Sequence, residues 1–409
     1  MKATQLQPGI YWVGSIDWDL RNFHGYQTSH GSTYNAYLVV DEKVALVDTV
    51  KRPFLEELLA RVGQVLDPAR IDYLVCNHVE MDHSGSIPAV AEVVPHAQIL
   101  VSPNGEKGLR GHFRDRMNLR VVQSGETVTL GKRSLHFIHT PMVHWPDSMV
   151  TYLPEEGVLF SNDAFGQHLA TAARFDDEVG WDVAHQEAAK YYANIVLPYG
   201  EQVKRALQAV GGIKINMICP SHGVIWRQHI PRIVEAYKGW ADYEAPQQAL
   251  VVYDSMWGST AKMANALRAG LEAAGVPVTA RNLEVSHVSD VMTDVLRSKL
   301  ILVGSPTLNN GLLPTVGQFL IYLKGLRPRK RIGFAFGSYG WGGQAVAEIE
   351  QVFTTLGWQV PVSGARVQWV PDEGQLAQLA EQGRALARSL TQEGGAGSTG
   401  PAKAGRGKM

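Results

Sequence analysis

Cysteine is almost missing from this chain: its 409 residues include only Cys76 and Cys219, and no C-x-x-C pair occurs anywhere. A cysteine-ligated iron module on this chain is thereby excluded, and both thiols sit in apolar runs, YLVCN and INMICPSH, that read as buried strands. Net charge is nearly absent too. At -1, with no dense Lys/Arg cluster before the final residues, there is no field to attract a polyanion, so no nucleic-acid partner is expected. Long apolar runs are lacking as well, none approaching the ~20 residues that span a bilayer. The opening MKATQLQPGIYWVG has no basic-then-apolar layout of a signal peptide. A cytoplasmic protein with no membrane partner is the expectation.

What is present is ordinary material for a packed α/β protein: 45% hydrophobic and 19% charged residues, enough to build a real core. The length exceeds what one core usually serves, which predicts two domains. Up to about Ser161 short β-branched runs recur (IYWVGSID, TYNAYLVV, VALVDTV, IDYLVCNH, AQILVS, SLHFIHT, MVTYLP), separated by turns and by helical patterns such as Pro53 to Leu66. After Trp240 the rhythm becomes strict alternation. The strands ALVVYDS, VTARNLEV, KLILVGSPT, RIGFAFGS and VPVSGARVQW are each followed by a helix, which specifies an open parallel sheet covered on both faces. The expected division is 1–246, then 247–393, with the Gly/Ala/Lys-rich stretch 394–409 as a disordered tail.

The most informative stretch is Asn77 to Pro88, NHVEMDHSGSIP, which follows an apolar strand and precedes a helix. His78, Glu80, Asp82 and His83 supply two imidazoles and two carboxylates within six positions. Alternate spacing in an extended segment would put His78, Glu80 and Asp82 on one side, able to grip two adjacent cations. Three later loops each end an apolar strand and add one donor: His144 in HTPMVHWPDS, Asp163 in LFSNDAF and His222 in ICPSHG. Extra carboxylates suit harder, redox-active ions better than zinc, which favours nitrogen and sulfur. His139, inside a strand pattern, reads as a core residue.

In the second half, strand ALVVYD runs into Ser255, Met256, Trp257, Gly258, Ser259 and Thr260, and a helix then begins. Hydroxyls, a glycine that admits close backbone approach and exposed helical N–H groups suit a phosphate monoester. No P-loop lysine follows, so a nucleoside triphosphate is not indicated. Two further loops, Ser305 to Pro314 and Gly337 to Gly343, leave the carboxyl ends of strands three and four, where open α/β sheets place ligands.

The pattern H-x-E-x-D-H, followed by His, Asp and His at widening intervals, resembles the metallo-β-lactamase fold in its flavodiiron variant; the second half is similar to flavodoxin. The resemblance covers residues 1 to 393. It implies a metallo-β-lactamase-like αββα sandwich followed by a flavodoxin-like doubly wound parallel sheet. The hydrolases of that fold read H-x-H-x-D-H, and Glu80 in place of the second histidine points to iron. By the family pattern two non-haem iron ions would be held, one by His78, Glu80 and His144, the other by Asp82, His83 and His222, with Asp163 bridging. His24 and Tyr199 are candidates for positions just outside the metals. FMN would lie against Trp257, Thr307, Leu308, Asn309, Asn310, Tyr339, Gly340 and Trp341, with Ser255, Met256, Gly258, Ser259, Thr260, Pro306, Gly311, Ser338 and Gly342 completing its site.

The resemblance further implies reduction of a small gas, O2 to water or NO to N2O. A di-iron pair and a reduced flavin together offer the four electrons that oxygen needs. An external donor such as rubredoxin or a separate reductase would reload the flavin, and the family's head-to-tail homodimer, or a dimer of dimers, is the expected assembly. The competing readings are a zinc hydrolase fused to a flavodoxin-like carrier and a non-catalytic gas-sensing module.

Overall fold

The computed structural model describes residues 2–114 and 117–392, the last two by backbone alone. The stretch 394–409, expected to be a disordered tail, lies outside the described residues. The chain divides into two compact units between Asp242 and Tyr243.

The first unit stacks two sheets face to face. One has seven strands in the order Thr4–Gln7, Ile10–Trp12, Tyr37–Val40, Val44–Val47, Ile71–Cys76, Gln98–Val101 and Leu119–Val121. The other has five: Thr127–Thr129, Ser134–His139, Met149–Leu153, Val158–Asn162 and Met217–Pro220. The two-residue side-chain period sorts the core. Tyr73 and Val75 point into the layer between the sheets, where they meet Phe137, Met149 and Phe160. Leu74 and Cys76 point the other way and pack with Leu58, Val62, Val90 and Leu109 from the helices Leu55–Gly63, Ile87–Val93 and Pro103–Phe113. On the far side, Ile138, Val150, Tyr152 and Leu159 pack with Val210 at the end of helix Gly200–Val210. The result is the expected αββα sandwich.

Strand direction brings the informative loops to one edge. Val44–Val47, Ile71–Cys76 and Gln98–Val101 are mutually parallel, so Asp48, Asn77 and Ser102 leave the sheet on the same side. In the second sheet Val158–Asn162 and Met217–Pro220 are parallel. Ser134–His139 lies two antiparallel steps from Val158–Asn162 and so shares its direction. The loops carrying His144, Asp163 and His222 therefore emerge together. Asp48 and Asn162, both in the left-handed region at φ 57° and 53°, turn the chain sharply there, a conformation their short polar side chains tolerate. Asp48 accepts from the Asn77 amide at 2.8 Å and from Asn77 Nδ2 at 3.0 Å, and the Asn77 carbonyl accepts from Met149 N, tying the two sheets at this edge.

The second unit is a five-stranded, wholly parallel sheet in the order Val278–Asn282, Ala249–Tyr253, Leu300–Gly304, Ile332–Tyr339, Ala365–Gln368. Val251, Leu302 and Phe334 bury against Met263, Leu267, Leu379 and Leu386. The alternate residues Leu250, Val252, Ile301 and Val303 are equally buried on the opposite face. Helices Ser259–Ala273 and Glu373–Gln392 cross at very close range, because Gly270 and Gly383 carry no Cβ; one added at Gly270 would stand 1.9 Å from the Ala380 carbonyl oxygen. The order 2-1-3-4-5 makes this the flavodoxin-type doubly wound sheet.

Candidate metal centre and flavin cleft

Extended backbone carries the ligand loop only as far as Glu80, which precedes a four-residue helix, Met81–Ser84. The expectation that His78, Glu80 and Asp82 share one side through alternate spacing fails for this reason. The helical turn rotates Asp82 and His83 away from His78 and Glu80, so the segment faces two places at once. His78, Glu80, His144 and Asp163 form one group of converging donor atoms, and Asp82, His83 and His222 form another.

Asp163 touches both groups. Its Oδ2 lies 3.2 Å from His144 Nε2 and 3.6 Å from His78 Nε2; its Oδ1 lies 3.1 Å from His83 Nε2 and 3.4 Å from His222 Nε2. Glu80 Oε2 sits 3.3 Å from His144 Nε2 and 3.4 Å from His78 Nε2, while Asp82 meets His222 at 3.2 Å and His83 at 3.5 Å. All four imidazoles present Nε2 inward. Two are fixed in that pose from behind: His78 Nδ1 pairs with Asp147 Oδ2 at 2.9 Å, and His222 Nδ1 donates to the Thr33 carbonyl at 2.7 Å. That arrangement of an outward Nδ1–H and an inward lone pair is what a metal-binding histidine needs.

The charges are arranged for cations. Burial alone would favour neutral imidazole at His78, yet Asp147 and Glu80 beside it hold its pKa up at about 10. His83 and His144, buried likewise, are held up at about 9 by Asp82 with Asp163 and by Asp163 with Glu80. Burial would raise the Asp163 and Asp82 carboxyls; the surrounding imidazoles, His83 first, pull both down instead, Asp163 well below the usual range. Both oxygens of Asp82 and of Asp163, together with His78 Nε2, are buried without a hydrogen-bond partner. Orphaned buried carboxylate oxygens are costly and rare unless a cation satisfies them. The donor set, three carboxylates and four imidazoles without a thiolate, fits two hard, redox-active cations such as iron.

Of the outer candidates, His24 reaches the cluster, its Nε2 3.5 Å from Glu80 Oε1. Tyr199 has no ion pair or ring contact with the cluster among the described residues; it stands at the head of helix Gly200–Val210. Tyr191 is the tyrosine that does reach it. Buried at the end of helix Trp181–Tyr191, it holds its ring 5.9 Å from that of His222, and burial followed by the carboxylates of Asp163, Asp82 and Glu80 keeps its phenol protonated far above the usual range. His168, with Nδ1 2.8 Å from Ser32 Oγ and its ring 4.9 Å from His222, was likewise missed, as was Asp147. Nothing in a lone His or Tyr on a mixed segment marks it; Asp147 had a visible signal, a carboxylate three residues after His144. His139 stands apart from the cluster, its Nε2 donating to the Val122 carbonyl at 3.1 Å.

In the second unit a cleft of about 520 Å³ opens at the carboxyl ends of the strands. Its walls include Met256, Trp257 and Ser259, the segments Pro306–Asn310 and Ser338–Gly342, and two residues absent from the sequence reading, Trp369 and Val370. These two follow strand Ala365–Gln368, which shares the edge with the other loops. Ser255, Gly258, Thr260 and Gly311 stand behind the wall. Ser255 Oγ accepts from the Gly258 and Ala261 amides and so shapes the turn, while the Thr260 hydroxyl pairs with Ser338 Oγ at 2.9 Å. Gly258 takes φ 85°, a turn that L side chains adopt at a cost, and sets the N-terminus of helix Ser259–Ala273 at this turn, where helical N–H groups suit an anion. Asn309 and Asn310, at φ 50° and 60°, form the tip of a tight hairpin that leans over the cleft. Trp257 and Trp341, 93% and 87% exposed, both present their rings at the wall of this cleft. A planar aromatic ring with a phosphate tail fits the space.

Comparison with known proteins agrees with this geometry. The family described as ODP family beta lactamase matches residues 33–223, and the flavodoxin family matches residues 251–383. A nitric oxide reductase from Moorella thermoacetica is 48% identical over 395 residues, covering 95% of this chain and 99% of that protein. The solved rubredoxin oxygen:oxidoreductase of Desulfovibrio gigas superposes with a TM-score of 0.94 at 41% identity, covering 96% of this chain and all of the other. The flavodiiron protein of Giardia intestinalis gives 0.94 at 33% identity, with 96% and 97% coverage. With relatives at this identity along nearly its whole length, with its paired metal cluster and its flavin-shaped cleft, the chain belongs to the flavodiiron family of oxidoreductases, which combine FMN with a di-iron centre.

Proposed function

We propose that this protein reduces a small gas, dioxygen to water or nitric oxide to nitrous oxide, using electrons that pass from an external donor through FMN to two irons. The observation that carries the reading is Asp163, one buried carboxylate with an oxygen turned to each donor group. His78, Glu80 and His144 would hold one iron, Asp82, His83 and His222 the other, with Asp163 shared. The irons would supply ferrous–ferric electron exchange and positive charge at open coordination positions.

The chain's own residues set the stage for that chemistry. Asp147 and the Thr33 carbonyl orient His78 and His222, and Trp145, stacked edge-on to His78 at 5.0 Å, shields that imidazole from water. Tyr191 keeps its proton on the phenolic oxygen and stands ready to donate a hydrogen bond beside Asp163, while the exposed His24 imidazole lies against Glu80, where it can carry protons in from solvent. In the second unit the N-terminus of helix Ser259–Ala273 would take the FMN phosphate, and Trp257, Tyr339 and Trp341 would flank the ring.

The Desulfovibrio protein's name supports a rubredoxin or another small redox protein as the donor, with a separate reductase as the alternative. A head-to-tail homodimer, bringing one chain's flavin to the other's irons, completes the reading. Two buried, unpaired cysteines suit a reducing cytoplasm. A zinc hydrolase fused to a flavin carrier is the weaker reading, because Glu80 adds a carboxylate where zinc sites prefer nitrogen. The test is Asp163→Ala: iron content and gas consumption should both collapse while FMN stays bound. Wild-type turnover in that variant would sink the reading.

A further inference from the structure

Between helix Gly200–Val210 and the outer face of the five-stranded sheet lies a small cavity of about 30 Å³, walled by Val150, Leu159, Ala164, Phe165 and Leu207 among others. Val143, also in its wall, immediately precedes His144, and Ala164 immediately follows Asp163. The cavity thus backs onto the two loops that deliver those side chains to the metal cluster. Its volume exceeds the ~10–15 Å³ that one water requires, but a buried water also needs two to four polar partners. Three hydroxyls stand in the wall, Thr140, Ser161 and Tyr237; Ser161 Oγ donates to the Ala164 carbonyl at 2.7 Å, the Tyr237 hydroxyl accepts from the Phe165 amide at 2.7 Å, and the surface that the cavity presents is nearly all hydrocarbon. Space of this kind stays dry and takes small apolar guests.

A second depression adjoins the cavity. A basin of about 300 Å³ on the surface, rimmed by His139, Met142, Gln202 and Arg205, shares Thr140 and Ala206 with it. Water and ions can occupy the basin. Past Thr140 and Ala206 the lining turns almost wholly apolar, so an uncharged diatomic molecule partitions inward and leaves hydrated solutes behind.

We propose that this cavity is a dock for an uncharged diatomic gas, filled through the basin, which concentrates substrate behind the His144 and Asp163 loops. The inference rests on the gas-reductase reading above. Ala206, half-buried and shared by cavity and basin, is the point at which passage between them can be closed without touching a metal-facing residue.

The test pressurises crystals of the iron- and FMN-loaded protein with xenon and, separately, measures gas consumption as a function of gas concentration. Wild type should show xenon in the cavity. Ala206→Phe should lose it, and should show a severalfold lower kcat/KM for the gas with kcat at saturating gas, iron content and FMN content unchanged. Leu207→Ala, which enlarges the space, should bind more xenon without slowing, which guards against a folding defect in the first variant. An empty cavity in pressurised wild type, or Ala206→Phe that excludes xenon yet keeps wild-type kcat/KM, overturns the dock. Loaded wild-type protein that consumes neither gas overturns the underlying reading instead, whatever xenon does.

Discussion

Removing the Asp147 carboxylate should weaken metal binding without unfolding the protein. One oxygen, Asp147 Oδ2, accepts from His78 Nδ1 at 2.9 Å and from the Val79 amide at 2.8 Å, and the residue is 4% exposed. In Asp147→Ala the imidazole loses the partner that holds Nε2 inward, and losing such an outer partner typically costs about 10–100-fold in metal affinity. That corresponds to roughly 1.4–2.7 kcal/mol. The Val79 N–H is left buried and unpaired as well, a cost of about 1–3 kcal/mol that falls on the metal-free protein too. Asp147→Asn separates the two effects. Both donors aim at one oxygen, so an amide oxygen can still receive both, and only the negative charge is lost; iron affinity should then fall by about tenfold, near the lower bound for outer partners. The assay is anaerobic ferrous titration against a chelator, run beside thermal melts of metal-free and loaded protein. Asp147→Ala that binds iron as tightly as wild type would refute the reasoning, as would an Asn variant no better than Ala.

Two more predictions follow from the same geometry. His78, His83 and His144, with pKa values of about 10, 9 and 9 against an ordinary 6.5, must shed protons when cations bind, so metal affinity should climb from pH 6.5 toward 9; calorimetry in buffers of different ionisation enthalpy should show net proton release, and a flat profile would contradict it. The sign for stability is the reverse: raised imidazole values contribute stability in full below pH 6.5 and lose it as pH rises through 9 to 10, so the metal-free protein should melt lower across that range. In the second unit, Gly270→Ala forces a Cβ to 1.9 Å from the Ala380 carbonyl, so helices Ser259–Ala273 and Glu373–Gln392 must part. Overpacking of this kind costs about 1–3 kcal/mol, read by urea unfolding followed through FMN fluorescence; an unchanged midpoint would show that the helices can slide.

How much of this was legible in the sequence depends on the range of the interaction. The parallel sheet of the second unit was readable because its central strands bury both faces, leaving unbroken apolar runs such as LILVG and GFAF between turn residues. The ligand loop was readable because four donors crowd into six positions. What the sequence misjudged was local geometry: a single turn of helix at Met81–Ser84, too short to leave a periodic signature, is what sends Asp82 and His83 to the second group. What it missed altogether was long-range. Tyr191 and His168 come to the cluster through the packing of segments far apart in the chain, and Tyr199, at the head of a helix, looked no different from a tyrosine buried beside His222. Trp369 was passed over for a related reason, since only the sheet order shows that the last strand ends beside the cleft.

The charge count explains how such a site survives before it is loaded. Glu80, Asp82 and Asp163 bring three negative charges into a buried space, a cost that would unfold most proteins if uncompensated. His78, His83 and His144, held protonated by these carboxylates and, for His78, first of all by Asp147, return three positive charges against four negative ones, so the metal-free cluster carries little net charge. Protons thus stand in for the cations, and the sandwich can fold before metal arrives with its donors already facing inward. Two divalent ions would then bring four positive charges against four carboxylates, Asp147 included, and the displaced protons would leave a cluster near neutrality. Had Glu80 been a histidine, as in the hydrolase pattern, one positive charge would be left in excess. The extra carboxylate therefore lowers the electrostatic cost of taking the pair of ions to a higher oxidation state, which is the property that a redox centre needs and a hydrolytic one does not.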